Sequence, residues 1–199
     1  MQSYSAEAFD QQNNSLGDVT TSTCFSIESE AGGSWCDNVY TSEYAGIWTV
    51  TGNYDGKSDT AILTVEAGSA VTLDLTPDVA SSTSGVPFNV TVTVYDTYCN
   101  VASNYTGTVK FKSSDPYASL PSNYTFDSSD SGSHTFTDGV TLIALGWRSV
   151  TATDTAHCLS DVSCFNVAPA PEADLQISKS DSPDPVYISD NLTYLVTVT

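Results

Sequence analysis

Apolar and polar residues alternate along nearly the whole chain, and no stretch keeps the 3.6-residue period of a helix. In FNVTVTVYD, Phe88, Val90, Val92 and Val94 fall on one face of an extended strand. Asn89, Thr91, Thr93 and Tyr95 fall on the other. GTVKFKSSD repeats the pattern, with Val109 and Phe111 inward and Lys110 and Lys112 outward. The turn pairs Asp55-Gly56, Ser84-Gly85, Asp115-Pro116 and Asp138-Gly139 separate the runs. Short alternating strands divided in this way predict an all-β protein of sandwich type.

Two breaks cut the chain into three segments. EAGSA (66–70) follows the strand TAILTV, and APAPEA (168–173) follows CFNV as a stiff Pro/Ala spacer. Residues 1–67 hold five or six expected strands, residues 68–168 about seven, and residues 169–199 the spacer and two more. Seven strands make a complete sandwich, but two cannot enclose a core. Leu175, Ile177, Val186, Ile188, Leu192, Tyr194, Val196 and Val198 are an apolar set without a partner in their own segment. An isolated hairpin is marginal in water. Burying half of these side chains is worth several kcal/mol, at roughly 1.5–3 kcal/mol each.

Composition narrows the function. Twenty-four acidic and five basic side chains give a net charge of −19. Lys57, Lys110, Lys112, Arg148 and Lys179 are scattered, which argues against nucleic acid and anionic membranes as partners. No apolar run approaches the ~18 residues of a membrane helix. Ser and Thr account for 55 residues, a β composition with a hydroxyl-rich surface. MQSYSAEAFD lacks the basic flank and apolar stretch of a signal peptide.

The five cysteines, Cys24, Cys36, Cys99, Cys158 and Cys164, show neither C-x-x-C nor zinc spacing. In an acidic β chain they are expected as disulfides of an oxidising, extracellular setting. Cys24–Cys36 is the expected bridge in the first segment, worth roughly 2–4 kcal/mol. Cys158–Cys164 would staple the LSDVS connection, leaving Cys99 odd and available to link subunits. Cys99–Cys158 is the rival pairing, because their loops fall at one end of a sandwich.

Five N-x-S/T sequons, at Asn13, Asn89, Asn104, Asn123 and Asn191, are glycosylation candidates. Loop acids Asp96, Asp127, Asp130, Asp138, Asp154 and Asp161, with Asn100, are the material for a structural calcium site. Calcium needs six to eight oxygens, and without a D-x-D-x-D-G repeat solvated turn carboxylates are the default expectation, with no metal and no other cofactor. His134 and His157 have no nucleophile and orienting acid in evident register, so no catalytic residue and no enzyme activity are expected. Tyr95, Tyr98, Tyr105, Tyr117 and Tyr124 could stack on sugars, or cover sandwich rims.

Residues 85–154 carry, in order, V-Y-D-x-Y-x-N, Y-T-G-T-V-x-F, S-S-D-P, L-P-x-x-Y-T-F, G-x-H-T-F and V-T-A-T-D. This stretch closely resembles the immunoglobulin-like repeats of large bacterial surface proteins. Cys99 departs from it, standing where those repeats usually have Gly. YSAEAFDQQNNSLGDVT, FSIESEAGGSW and YAGIWTVTGNYDGKSDTAILTV resemble another such repeat that begins at its second strand. ADLQISKSDSPDPVYISDNLTYLVTVT resembles the opening of an extracellular repeat domain of unknown function.

The resemblance implies tandem immunoglobulin-like sandwiches, the first lacking a strand and the last an incomplete strand pair. The expected function is a structural subunit of a bacterial cell-surface filament, joined head-to-tail by β-strand complementation between copies. Asp174–Asp181 and Asn191–Thr199 would be the donated strands, and the face around Tyr4, Ala6 and Ala8 the acceptor. The alternative is a stalk or ligand-binding segment of a long adhesin.

Overall fold

The computed structural model describes residues 1–171. The fold is all-β, as the alternation predicts, with two single-turn 3-10 segments at Thr20–Ser22 and Ser29–Ala31. Expected strands 174–181 and 191–199, and Asn191 with them, lie outside the described residues.

The N-terminal region has eight short strands: β1 (Gln2–Ser3), β2 (Glu7–Phe9), β3 (Ser15–Asp18), β4 (Cys24–Ile27), β5 (Ser34–Cys36), β6 (Val39–Thr41), β7 (Gly46–Tyr54) and β8 (Lys57–Val65). They form three small sheets, β1-β6-β5, β2-β3 and β4-β7-β8. Only β7 and β8 are long, joined by the Asp55-Gly56 turn and paired from Gly46↔Val65 to Tyr54↔Lys57. Full burial here is confined to Ala31, Tyr40 and Val50, with Ala67 at the exit. Trp35 packs between Phe25 and Tyr40, with ring centroids 5.9 and 5.0 Å away.

The C-terminal region contains β9 (Thr72–Pro77), β10 (Ser82–Thr83), β11 (Pro87–Tyr95), β12 (Thr108–Ser113), β13 (Tyr124–Thr125), β14 (Ser133–Thr141), β15 (Gly146–Asp154) and β16 (Leu159–Ala168). A three-stranded sheet β14-β11-β9 faces a five-stranded sheet β10-β16-β15-β12-β13. The chain changes sheets between β9 and β10, which pairs in parallel with the end of β16. Phe88, Val90, Val92 and Val94 point into the core, meeting Val109, Phe126, Val140, Val150 and Phe165. Phe111 packs against the same cluster, while Lys110 and Lys112 are exposed. Apolar burial of this kind is worth roughly 25 cal/mol per Å2. Among the described residues the strands of each region pair only within that region.

Candidate functional site

The regions meet at a joint built by the V-Y-D-x-Y-x-N stretch. β11 ends at Tyr95, and Asp96 is buried just beyond it. Asp96 Oδ1 accepts the Tyr98 and Asn100 backbone N–H groups at 2.8 and 2.9 Å. Its Oδ2 accepts Gly68 N–H at 2.8 Å and Asn100 Nδ2 at 2.9 Å. Burial opposes ionisation of Asp96, but these donors outweigh it and hold the carboxyl below its usual value. Thus fixed, the Asn100 amide reaches into the N-terminal region. Its Oδ1 accepts Ala45 N–H at 2.9 Å and its Nδ2 donates to Glu43 O at 2.8 Å. One side chain thereby pairs with two backbone groups of the other region, as a neighbouring strand would.

The other motifs build similar staples inside the C-terminal region. Buried Asp115, from S-S-D-P, accepts N–H groups of Tyr117, Ile143 and Ala144 at 2.9, 2.6 and 2.9 Å. Asp154, which ends V-T-A-T-D, accepts the Tyr105 hydroxyl and His157 Nδ1, each at 2.6 Å. Burial, together with donation to Asp154, pushes the Tyr105 hydroxyl pKa well up. A Cβ on Gly107 would lie 2.2 Å from Asp154 Oδ2 and 2.3 Å from the Tyr105 hydroxyl, so this place requires glycine. His134 stacks on Tyr124 at 3.9 Å and directs Nδ1 to Asp130 Oδ1 at 2.7 Å.

Both histidines therefore do have an orienting carboxylate, contrary to the sequence reading. The signal was the spacing itself, Asp130-x-x-x-His134 and Asp154-x-x-His157. Among the described residues neither ring is hydrogen-bonded to a hydroxyl or thiol. Of the other candidate calcium acids, Asp161 accepts Leu75 N–H at 2.9 Å, and Asp127 accepts Ser129 N–H at 2.7 Å. The Asp138 N–H donates to Asn89 Oδ1 at 2.7 Å. No group of three or more His, Cys, Asp or Glu among the described residues is arranged to hold a metal ion.

The expected disulfides require correction: Cys24, Cys36, Cys99, Cys158 and Cys164 are all free and exposed. Cys158 closes the turn before β16 and Cys164 lies within that strand. At roughly 3.3 Å per residue they are far beyond the ~7 Å Cα separation a bridge tolerates. Cys24 and Cys36 stand in different sheets, on β4 and β5. Cys99 and Cys158 occupy turns with left-handed φ of 64° and 57°. Of the sequons, Asn13, Asn104 and Asn123 are exposed, and Asn89 is half-buried.

The N-terminal region leaves a groove of about 570 Å3 between the β2-β3 hairpin and the β4-β7-β8 sheet. Tyr4, Ala6 and Ala8 line it, with Phe25, Val50 and Ala61 opposite. The Tyr4 hydroxyl is buried with no hydrogen-bond partner among the described residues, and burial raises its pKa. Such an orphan costs about 1–3 kcal/mol. β8 pairs only with β7 among the described residues, leaving its other edge bare. Tyr4, Ala6 and Ala8 thus lie on one continuous stretch of chain along the groove.

No family model matches the chain, and no curated protein matches it. Similar solved structures include domains 4 and 5 of the S-layer protein SbsC, at 23% identity over 81% of this chain and 79% of that one, TM-score 0.34. The Escherichia coli adhesin FdeC is 24% identical over 80% of this chain, TM-score 0.40, and the match spans 56% of its structure. An apo β-glucuronidase 3 of Bacteroides uniformis also matches, at 13% identity over 76% of this chain and 21% of that one, TM-score 0.38. At such TM-scores none of these likenesses bears on what the chain does. Among the described residues no helix is long and apolar enough to cross a membrane.

Proposed function

We propose that this chain is a structural unit of a bacterial extracellular surface fibre, assembled head-to-tail by β-strand complementation between copies. The single observation that carries the reading is the open groove of the N-terminal region, lined by Tyr4, Ala6 and Ala8. A guest strand with an apolar face would cover Phe9 and Leu16, which line the groove and are 52% and 67% exposed. The C-terminal segment supplies such sequences in Asp174–Asp181 and Asn191–Thr199. The same contact repeated from copy to copy is heterologous and propagates unless it closes a ring. The two regions then act as successive domains held at a fixed angle, with copies of the same chain as partners and glycans on exposed sequons.

A second reading, a stalk within a long surface adhesin, is favoured by the Asp96–Asn100 joint, which stiffens two successive units without any assembly. Negative-stain imaging of native material, followed by gels with and without boiling, separates them. Filaments whose boiled subunit runs near this chain's length support strand donation. Filaments yielding only a far larger band favour a tandem-repeat polypeptide. Single monomeric particles overturn the fibre reading.

A further inference from the structure

The C-terminal region contains a template for what the groove lacks. Its last strand, β16, has an outer edge covered by β10, which runs parallel to it through Ser82↔Val167 and Thr83↔Ala168. The last strand of the N-terminal region, β8, has the same place at the end of its sheet and no such cover among the described residues. Bare edges of this length readily template a further strand. β8 spans nine residues, and its inward side carries Ala61 and Leu63 opposite Val50 and Trp48.

We infer that the free edge of β8 receives Asn191–Thr199 of a second copy, in parallel, and that this strand roofs the groove. This rests on the strand-complementation reading above and specifies its edge, direction and donor. The pattern fits. Leu192, Tyr194, Val196 and Val198 recur at period two, whereas Asp174–Asp181 offers only Leu175 and Ile177 before Lys179. Direction follows the template, in which β10 runs parallel to β16. Lys57, the sole Lys or Arg of residues 1–67, begins β8 between Asp55 and Asp59. A parallel donor brings Asp190 beside Lys57, whereas an antiparallel donor brings Asp190 towards Glu66. Like charges directly opposite are destabilising in a sheet.

The test uses the full chain, with self-association followed by analytical ultracentrifugation and amide exchange compared at low and high protein concentration. The expected result is that association slows exchange of the β8 amides by about tenfold or more, leaving those of β2 and β3 little changed. Lys57→Glu and Asp190→Lys should each weaken association severalfold, and the double variant should restore it. Leu192→Asp combined with Val196→Asp should abolish it. A chain that associates with β8 unprotected and indifferent to the charge exchange overturns this inference but leaves strand donation standing. Association through β8 that the charge exchange fails to rescue overturns the parallel direction. A chain that remains monomeric at all concentrations overturns both.

Discussion

The two regions of this chain use the same alternating β pattern and reach different ends. In the C-terminal region the apolar faces close on one another, and Val90, Val92, Val94, Val109, Val140 and Val150 are fully buried. In the N-terminal region most strands are short and split among three sheets, and full burial reaches only Ala31, Tyr40 and Val50, with Ala67 at the exit. Alternation alone therefore makes strands, whereas a core needs a second sheet long enough to cover the first. The N-terminal region has β7 and β8 on one side and only short pieces on the other.

The largest effect should come from truncating matched aromatics. Phe165→Ala removes a side chain that packs on Phe88 at 5.0 Å in the closed core. It should cost about 3–5 kcal/mol. Phe25→Ala removes one that lines the open groove and should cost the isolated chain about half as much or less. Exchange-derived stabilities of each region check the pair. Equal losses would mean the groove is already closed in solution.

Next is Gly107→Ala. Its Cβ enters the space between Asp154 and the Tyr105 hydroxyl and breaks their bond, leaving a buried carboxylate short of a donor. The expected loss is about 2–3 kcal/mol, confined to the C-terminal region. Urea unfolding monitored by region-resolved exchange would show it. An unaltered C-terminal transition would remove this staple from the account.

The fold was readable because period two survives at Phe88–Val94 and Val109–Phe111 regardless of what those residues touch. The joint was not readable as a joint. Asp96 and Asn100 were visible as loop residues, but their partners Gly68, Glu43 and Ala45 lie 28 to 57 residues away. No local pattern encodes contacts of that range. The cysteines failed for the opposite reason. Cys158 and Cys164 are close in sequence, and CLSDVSCFNVA continues to alternate, so the strand that forms there holds them apart. The resembled motifs were legible, but their physical role was not. Three of them, V-Y-D, S-S-D-P and V-T-A-T-D, are marked by aspartates that serve as buried loop staples.

Acid should weigh more on the C-terminal region: Asp10, Asp18 and Glu28 of the N-terminal region are also held low by hydrogen bonds, but none is buried as Asp96, Asp115 and Asp154 are. Burial opposes ionisation of Asp96, Asp115, Asp130 and Asp154, yet hydrogen bonds hold each below its usual 3.8. A carboxyl depressed in the folded state stabilises fully above its unfolded pKa of about 4, and that contribution is lost as pH falls through the folded value. The C-terminal region, which contains all four, should lose Tm steeply below about pH 4. Thermal unfolding between pH 7 and 2.5 checks this. A C-terminal transition that stays level through that range would show that the carboxylates contribute little.

Asn100→Ala should act on the joint more than on either region. It removes the bonds to Glu43 and Ala45 and one of the donors to Asp96. The expected loss is about 1–2 kcal/mol. The sharper readout is geometry: residual dipolar couplings should report two regions reorienting independently in the variant and together in the parent. If the parent already reorients as two bodies, the joint does not hold in solution and the stalk reading loses its support.

The smallest effect concerns the neighbouring residue. Cys99 has φ of 64° in the turn that Asp96 organises. Left-handed backbone costs an L residue roughly 1–2 kcal/mol, which glycine avoids. Glycine also loosens the unfolded chain, at about 0.4–1 kcal/mol. Cys99→Gly should therefore leave stability level or raise it by up to about 1 kcal/mol, whereas Cys99→Val should lower it. The informative question is where the change falls. The turn belongs to the C-terminal region, but Asn100 extends from it into the N-terminal one. If Cys99→Gly shifts only the C-terminal transition, the joint transmits little stability between the regions. If both transitions move together, the Asp96–Asn100 turn couples a well-packed sandwich to a poorly packed one and lends the latter stability its own core does not supply.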